Sequence, residues 1–160
     1  MGADKQSLAG SFQQYFVAEL ATTPEQKRDA YRVRYRVYCE EFQYEPAENC
    51  AGRLEIDEFD EYSFHCLIRH RSTDRVAGCV RVVALDSKLL MPIEKHCLES
   101  IDPEYRKILE DDRSQVCEIS RLAVDAAFRR RLGESGTRYG KPDAVDVSRR
   151  EQRSFSLIAV

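Results

Sequence analysis

The sequence predicts a single α/β domain, and three patterns carry that prediction. Apolar residues recur at helical spacing through the first forty or so positions, two alternating stretches between Tyr62 and Leu85 read as an antiparallel hairpin, and Val116–Val124 reads as a buried β-strand. The rest of the chain is organised around this last stretch, Val116-Cys117-Glu118-Ile119-Ser120-Arg121-Leu122-Ala123-Val124. Ile119, Leu122, Ala123 and Val124 give it core character and no proline interrupts it, so it is expected to be a central strand. Glu118 and Arg121 break the pattern. An unpaired buried charge is destabilising by several kcal/mol, so each requires a partner or a functional reason for its position.

A chain of 160 residues makes one domain with a real core and is too short for two. Its 42% apolar and 33% charged residues are the balance of a soluble globular protein. No apolar run is long enough to span a bilayer, and no basic-then-apolar leader opens the chain, so a cytoplasmic protein with no integral membrane span is expected. The net charge of −3 argues against general nucleic-acid binding. Cysteines 39, 50, 66, 79, 97 and 117 form neither a C-x-x-C pair nor a Cys/His cluster at metal-binding spacing; they are expected to be reduced core thiols, with no metal site. Arg129, Arg130 and Arg131 form a local basic block despite the acidic whole.

Leu8, Phe12, Phe16 and Leu20 fall four apart, predicting one amphipathic helix from about Lys5 to Ala21. Thr23 is placed as the N-cap of a second helix, with Pro24 at its first position and Gln26 closing a capping box; the helix runs to about Phe42. Its inner stripe reads Tyr31, Arg34 or Tyr35, Tyr38 and Phe42, which brings Arg34 close to the buried face. A loop over residues 43–52 leads into the acidic run Glu55–Glu61. Tyr62–His70 and Val76–Leu85 are the hairpin strands around a turn at Ser72-Thr73-Asp74, and Arg81 shares a sheet face with Cys79 and Val83. Pro92 opens a short helix to about Leu98, and Asp102-Pro103 caps another. A Gly/Ser/Asp-rich stretch over residues 133–148 reads as a mobile loop. The apolar element begun at Arg153–Val160 reads as cut short, so the natural domain is expected to continue beyond it.

Arg34, Asp57 with Asp60, Arg81, and Glu118 with Arg121 need a common account. One is a buried ion network that fixes the packing of helix on sheet. The other is a polar pocket for a zwitterionic or carboxylate substrate, with arginines gripping a carboxylate by paired hydrogen bonds and acids accepting from an ammonium.

Tyr31-Arg32-Val33-Arg34-Tyr35-Arg36-Val37-Tyr38-Cys39-Glu40-Glu41, then Glu55-x-Asp57-Glu58-Phe59-Asp60, Gly78-x-x-Arg81 and Glu118-Ile119-Ser120-Arg121-Leu122-Ala123-Val124, together resemble the N-acyl-homoserine lactone (autoinducer) synthase superfamily. Tyr38-Cys39-Glu40-Glu41, Leu90-Met91-Pro92-Ile93-Glu94 and Phe128-Arg129-Arg130-Arg131 most resemble its PEP-CTERM/exosortase-associated acyltransferases, akin to N-acyl amino acid synthases. The resemblance covers about residues 25–131. It implies a GNAT-like mixed sheet between helices and transfer of a fatty acyl group from the phosphopantetheine thioester of acyl carrier protein, or from acyl-CoA, to an amine. No tightly bound cofactor is implied. Matched by motif, Arg34, Tyr38, Tyr44, Asp57, Arg81 and Arg121 are expected to bind the amine substrate, and Ser120, Leu122, Arg129, Arg130 and Arg131 the carrier and its pantetheine arm. Tyr44 stands where autoinducer synthases have Trp in the S-adenosylmethionine pocket, which favours another acceptor, an amino acid, over homoserine lactone synthesis.

The chemistry fits the same residues. An amine attacks a thioester only when neutral, so a carboxylate must take its proton; Glu118 is the first candidate and Asp60 the second. Backbone N–H groups on the central strand are the simplest oxyanion donors. In an unbroken strand Glu118 and Arg121 face opposite sides, so a β-bulge between them is predicted. Against acetyl-CoA as donor, the turn after the strand offers one glycine, Gly133, as a pyrophosphate cradle. The Arg block suits an acidic carrier protein. Further readings are an autoinducer synthase using S-adenosylmethionine and a non-catalytic acyl- or amino-acid-binding module. An open strand edge would admit a second copy, giving a homodimer.

Overall fold

The structure, a computed structural model, describes residues 8–84, 89–111 and 113–129. Helix α1 (Leu8–Tyr15) runs directly into strand β1 (Phe16–Leu20), and helix α2 (Pro24–Arg34) continues into a π-helical stretch, Tyr35–Glu41. Two 3-10 turns, Ala47–Asn49 and Ala51–Arg53, and a third at Asp60–Tyr62 lead into the hairpin β2 (Ser63–His70) and β3 (Val76–Ala84). Helices α3 (Pro92–Cys97) and α4 (Pro103–Asp111) precede β4 (Cys117–Val124). Residues 130–160 lie outside the described part, and with them the predicted loop at 133–148, the apolar element after Arg153, Arg130 and Arg131.

The single N-terminal helix is corrected to a helix followed by a strand. Four-residue spacing of Leu8, Phe12, Phe16 and Leu20 suits a helix, but β1 pairs antiparallel with β2, Phe16 opposite His70 and Leu20 opposite Cys66. Completing this ladder outweighs the local helical preference. The start of α2 is as read: Thr23 accepts from Gln26 N–H at 3.2 Å, and the Gln26 side chain accepts from Thr23 N–H at 3.0 Å. Beyond Arg34 the π-helical stretch changes which residues face the sheet. Val33, Arg34 and Val37 are buried there, whereas Phe42 of the predicted stripe is exposed.

The sheet order is β1-β2-β3-β4, antiparallel throughout among the described strands. Ala30, Val33 and Val37 of the α2 segment pack on Leu67, Cys79 and Ala123. Burying one such aliphatic side chain stabilises by about 1.5–3 kcal/mol, so this layer anchors α2 to the sheet. Neighbouring strand residues face opposite sides, and Val124 belongs to a second cluster with Phe16, Ala77 and Phe128, against which Phe12 and Tyr15 of α1 pack. The sheet thus lies between helices.

One correction concerns β4, which comes last in the order of the described strands: Ile119 and Leu122, read as core, are 70% and 52% exposed. A bulge is present, starting at Arg121 rather than between Glu118 and Arg121 as predicted. Arg81 pairs with Ser120 but Cys79 with Ala123, so Arg121 and Leu122 together oppose Val80, and Arg121 takes a left-handed φ of 53°. Gly78 makes the neighbouring approach feasible, because a Cβ there would sit 2.8 Å from the Ala123 carbonyl oxygen.

Candidate active site

Alternation along the strands sets the inner face. Ser63, His65 and Leu67 of β2 lie opposite Val83, Arg81 and Cys79 of β3; Val83 and Arg81 lie opposite Glu118 and Ser120 of β4. The end of α2 delivers Arg34 to the same face, fully buried. A segment before β2 delivers Glu55, Asp57 and Asp60. The bulge turns Arg121 towards them.

Asp60 is the keystone. Arg34 donates to it through Nη1 and Nη2 at 2.6 and 2.9 Å, Arg81 Nη1 donates at 3.0 Å and the Asp57 N–H at 2.8 Å. Arg34 Nε donates to Glu55, and Arg81 Nη1 also donates to Asp57. Arg81 Nε reaches Ser120 Oγ at 3.1 Å. Arg121 closes the set, with Nε 3.2 Å from Glu55 Oε1 and Nη2 2.9 Å from Asp57 Oδ2. Arg34, Arg81 and Arg121 therefore face Glu55, Asp57 and Asp60, and their formal charges cancel. Tyr31, Phe59 and Tyr38 pack their rings against Arg34, Arg81 and Arg121, with guanidinium-to-centroid distances of 5.4, 5.7 and 5.9 Å.

The environment sorts these groups by protonation. Burial alone would push the Asp60 carboxyl up, but the hydrogen bonds and charge of Arg34, with the Asp57 N–H and Arg81, hold it below its ordinary value. Arg34 is raised: its bonds to Asp60 and Glu55 outweigh the desolvation that opposes its charge. His65 is buried with Nε2 3.7 Å from Asp60 Oδ1, and burial lowers its pKa despite that neighbour, so it is a neutral imidazole at pH 7. Burial pushes the Tyr38 phenol up to about 12, so it stays a donor, to the Leu122 carbonyl at 2.8 Å.

Glu118 differs from the other acids. It is half-buried, and its carboxylate accepts from the Ile93 N–H at the start of α3, at 2.8 Å, rather than from an arginine.

The acetyltransferase (GNAT) domain pattern matches residues 33–137, about two thirds of the chain. The chain belongs to this family. A GNAT domain is an acyltransferase domain, and its matched region contains every member of the charged set above. Among solved structures the fold is similar to the crystal structure of the AHL synthase LasI, with 17% identity and a TM-score of 0.46, over 77% of this chain and 58% of that one. The chain thus spans less than two thirds of that synthase's length. No curated protein matches the sequence.

Within this GNAT domain the structure brings Arg34, Asp57, Asp60, Arg81, Ser120 and Arg121 into direct contact and places Tyr38 on the bulge beside them. It does not bring in Tyr44, which is 71% exposed and stacked on Phe42 with ring centroids 5.3 Å apart. Leu122 also points outward, and only its carbonyl meets the site. Arg129, the described member of the Arg block, pairs with Glu41 and lies over the Phe42 ring at 5.0 Å. Asp60 is suited to holding Arg34 and Arg81, not to taking a proton, since both of its oxygens accept from cations. Two members escaped the sequence reading. Glu55 opens the acidic run two residues before Asp57, which was the available signal. His65 has the strand parity of Ser63 and Leu67, a buried position signalled only by alternation.

Among the described residues no helix is long and apolar enough to cross a membrane, and no group of His, Cys, Asp or Glu is arranged to hold a metal ion.

Proposed function

We propose that this protein is an N-acyltransferase that moves a fatty acyl group from the phosphopantetheine thioester of acyl carrier protein to the amine of an amino acid or similar acceptor, in the cytoplasm. One observation carries the reading. Glu55, Asp57 and Asp60 are all committed to arginines, whereas Glu118, on the same sheet face, is bound to a backbone N–H and stays half-buried. A carboxylate left free of cations is the one able to accept a proton.

In this reading the neutral amine of the acceptor attacks the thioester carbonyl, and as the carbon–nitrogen bond forms its nitrogen gives one proton to Glu118, directly or through a water. The tetrahedral oxyanion is met by backbone N–H groups at the β4 bulge. Collapse breaks the carbon–sulfur bond, Glu118 returns the proton to the departing pantetheine thiolate, and an amide remains. Arg81 keeps a buried Nη2 with no acceptor among the described residues, which supports an acceptor bearing a carboxylate. The association with PEP-CTERM/exosortase systems belongs to the same proposal and rests on the sequence resemblance. Docking of an acidic carrier protein at the Arg129–Arg131 block rests on charge, and it predicts affinity that falls with salt.

The test is mass spectrometry of products from panels of acyl carrier protein and acyl-CoA thioesters with amino acids. A new N-acyl amine is expected, with Glu118→Gln lowering its rate by about 10²–10⁴-fold, the usual worth of a positioned base. A fully folded Glu118→Gln variant with undiminished transfer removes Glu118 from the mechanism. Absence of product across both panels removes the reading.

A further inference from the structure

Cys39 and Cys50 have no part in the chemistry above, yet their Sγ atoms lie 3.4 Å apart and both thiols are free. A disulfide brings the sulfurs to about 2.05 Å, so a closing movement of roughly 1.3 Å joins them. The Cys50 side is the one able to yield, because it sits between two 3-10 turns with an irregular backbone (φ −106°, ψ 80°). Cys39 is buried on the π-helical stretch, directly after Tyr38; Cys50 is half-buried.

The segment between them is attached to the site. Tyr44 and Glu45 donate their N–H groups to the Tyr38 carbonyl at 2.7 and 3.3 Å, and the Glu45 carboxylate lies 3.8 Å from Arg121. On the far side Arg53 N–H donates to the Cys50 carbonyl at 3.2 Å, and Glu55, which grips Arg34, follows two residues later.

We propose that Cys39 and Cys50 are an oxidative modification site, forming a reversible disulfide that ties the Phe42–Glu45 segment to the helix carrying Arg34 and Tyr38. With hydrogen peroxide as oxidant, the Cys50 thiolate attacks one oxygen, the O–O bond breaks, and the hydroxide released takes a proton to become water. Cys39 sulfur then displaces hydroxide from the Cys50 sulfenic acid, and its own proton completes the second water. Two thiols lose two electrons and one peroxide gains them. Cys50 is the less buried of the two, and burial and the contact with Cys50 push the Cys39 thiol up to about 12, so Cys50 is the attacking sulfur and buried Cys39 the resolving one.

The consequence for activity rests on the acyltransferase reading. Tyr44 and Glu45 hang from the Tyr38 carbonyl and Glu45 lies beside Arg121, so the disulfide holds the base of a loop that borders the charged site. Oxidation therefore raises KM for the amine several-fold, and dithiothreitol reverses it.

The full chain is titrated with hydrogen peroxide, its remaining thiols are alkylated, and peptides are mapped without reduction. A linked Cys39–Cys50 peptide, two hydrogens lighter than its parts, is expected at the lowest peroxide, before exposed Cys97 and Cys117 react; it is absent from Cys50→Ser and lost on adding dithiothreitol. Oxidation of Cys97 or Cys117 first, or Cys50 reaching the sulfinic acid with no linked peptide, overturns the site. The mapping uses no substrate. A linked peptide in a protein that transfers no acyl group therefore keeps the site and removes the functional reading.

Discussion

Replacing Arg34 by Met leaves the volume of the site nearly unchanged and removes one of its cations. Asp60 would keep Arg81 and the Asp57 N–H, and Glu55 would keep Arg121, but three carboxylates would then face two guanidinium groups within a buried cluster. Breaking a buried ion pair by deleting one partner is destabilising by about 3–5 kcal/mol, and the burial of Glu55 and Asp60, 3% and 2% exposed, places this site at the upper end. Neutralising a partner as well restores the balance. The Arg34→Met/Glu55→Gln double variant should therefore be less destabilised than the sum of the single variants, by about 0.5–3 kcal/mol, the range of coupling for residues in contact. Urea unfolding of the four proteins, followed by circular dichroism and tryptophan-free tyrosine fluorescence, measures each term. A loss below about 1 kcal/mol for Arg34→Met, typical of a surface pair, or strictly additive losses, would refute a cluster held by charge balance.

Three further changes probe separate parts of the argument. Gly78→Ala forces the Ala123 carbonyl away from β3 beside the bulge, and an overpacking loss of about 1–3 kcal/mol is expected in the same unfolding assay. Tyr38→Phe deletes the bond to the Leu122 carbonyl; a loss of about 1 kcal/mol, with a larger effect on transfer rate than on melting, would mark Tyr38 as holding the bulge in shape. His65 has a folded pKa below its unfolded value, so between the two the unfolded chain binds more protons; stability is complete above about 6.5 and declines as pH falls towards the folded value. His65→Asn should flatten that stretch of the stability–pH curve, leaving the separate acid loss from Asp60, which sets in below the ordinary carboxylate range as pH falls towards its lowered pKa.

Much of the site was legible because its charges violate local pattern. Arg81 between Val80 and Val82, and Glu118 and Arg121 among apolar neighbours, are improbable on a solvated surface, and strand parity assigns the face of Arg81 and of Glu118. Arg34 needed only the helical stripe. The bulge followed from requiring Glu118 and Arg121 to serve one side. What was hidden depended on partners distant in sequence. Phe16–Leu20 is a strand only because β2 offers it a ladder, and an intrinsic period of four could not reveal that. The π-helical turns after Arg34 altered which aromatic residues face inward, leaving Phe42 outside. Tyr44 follows those turns, so motif spacing did not fix where its ring would lie.

The ion cluster also constrains the order in which the chain assembles. Its bonds join residues 21, 26 and 66 positions apart, so none forms before distant segments have met. Helix α2, the acidic segment and β3 can gather first, and that partial assembly carries Arg34 and Arg81 against Glu55, Asp57 and Asp60, a surplus negative charge in a closing interior. Only the arrival of β4 with Arg121 discharges it. The last strand of the described sheet is thus drawn in by electrostatic demand as well as by backbone pairing, and a nascent chain lacking it would hold its other parts together under self-repulsion.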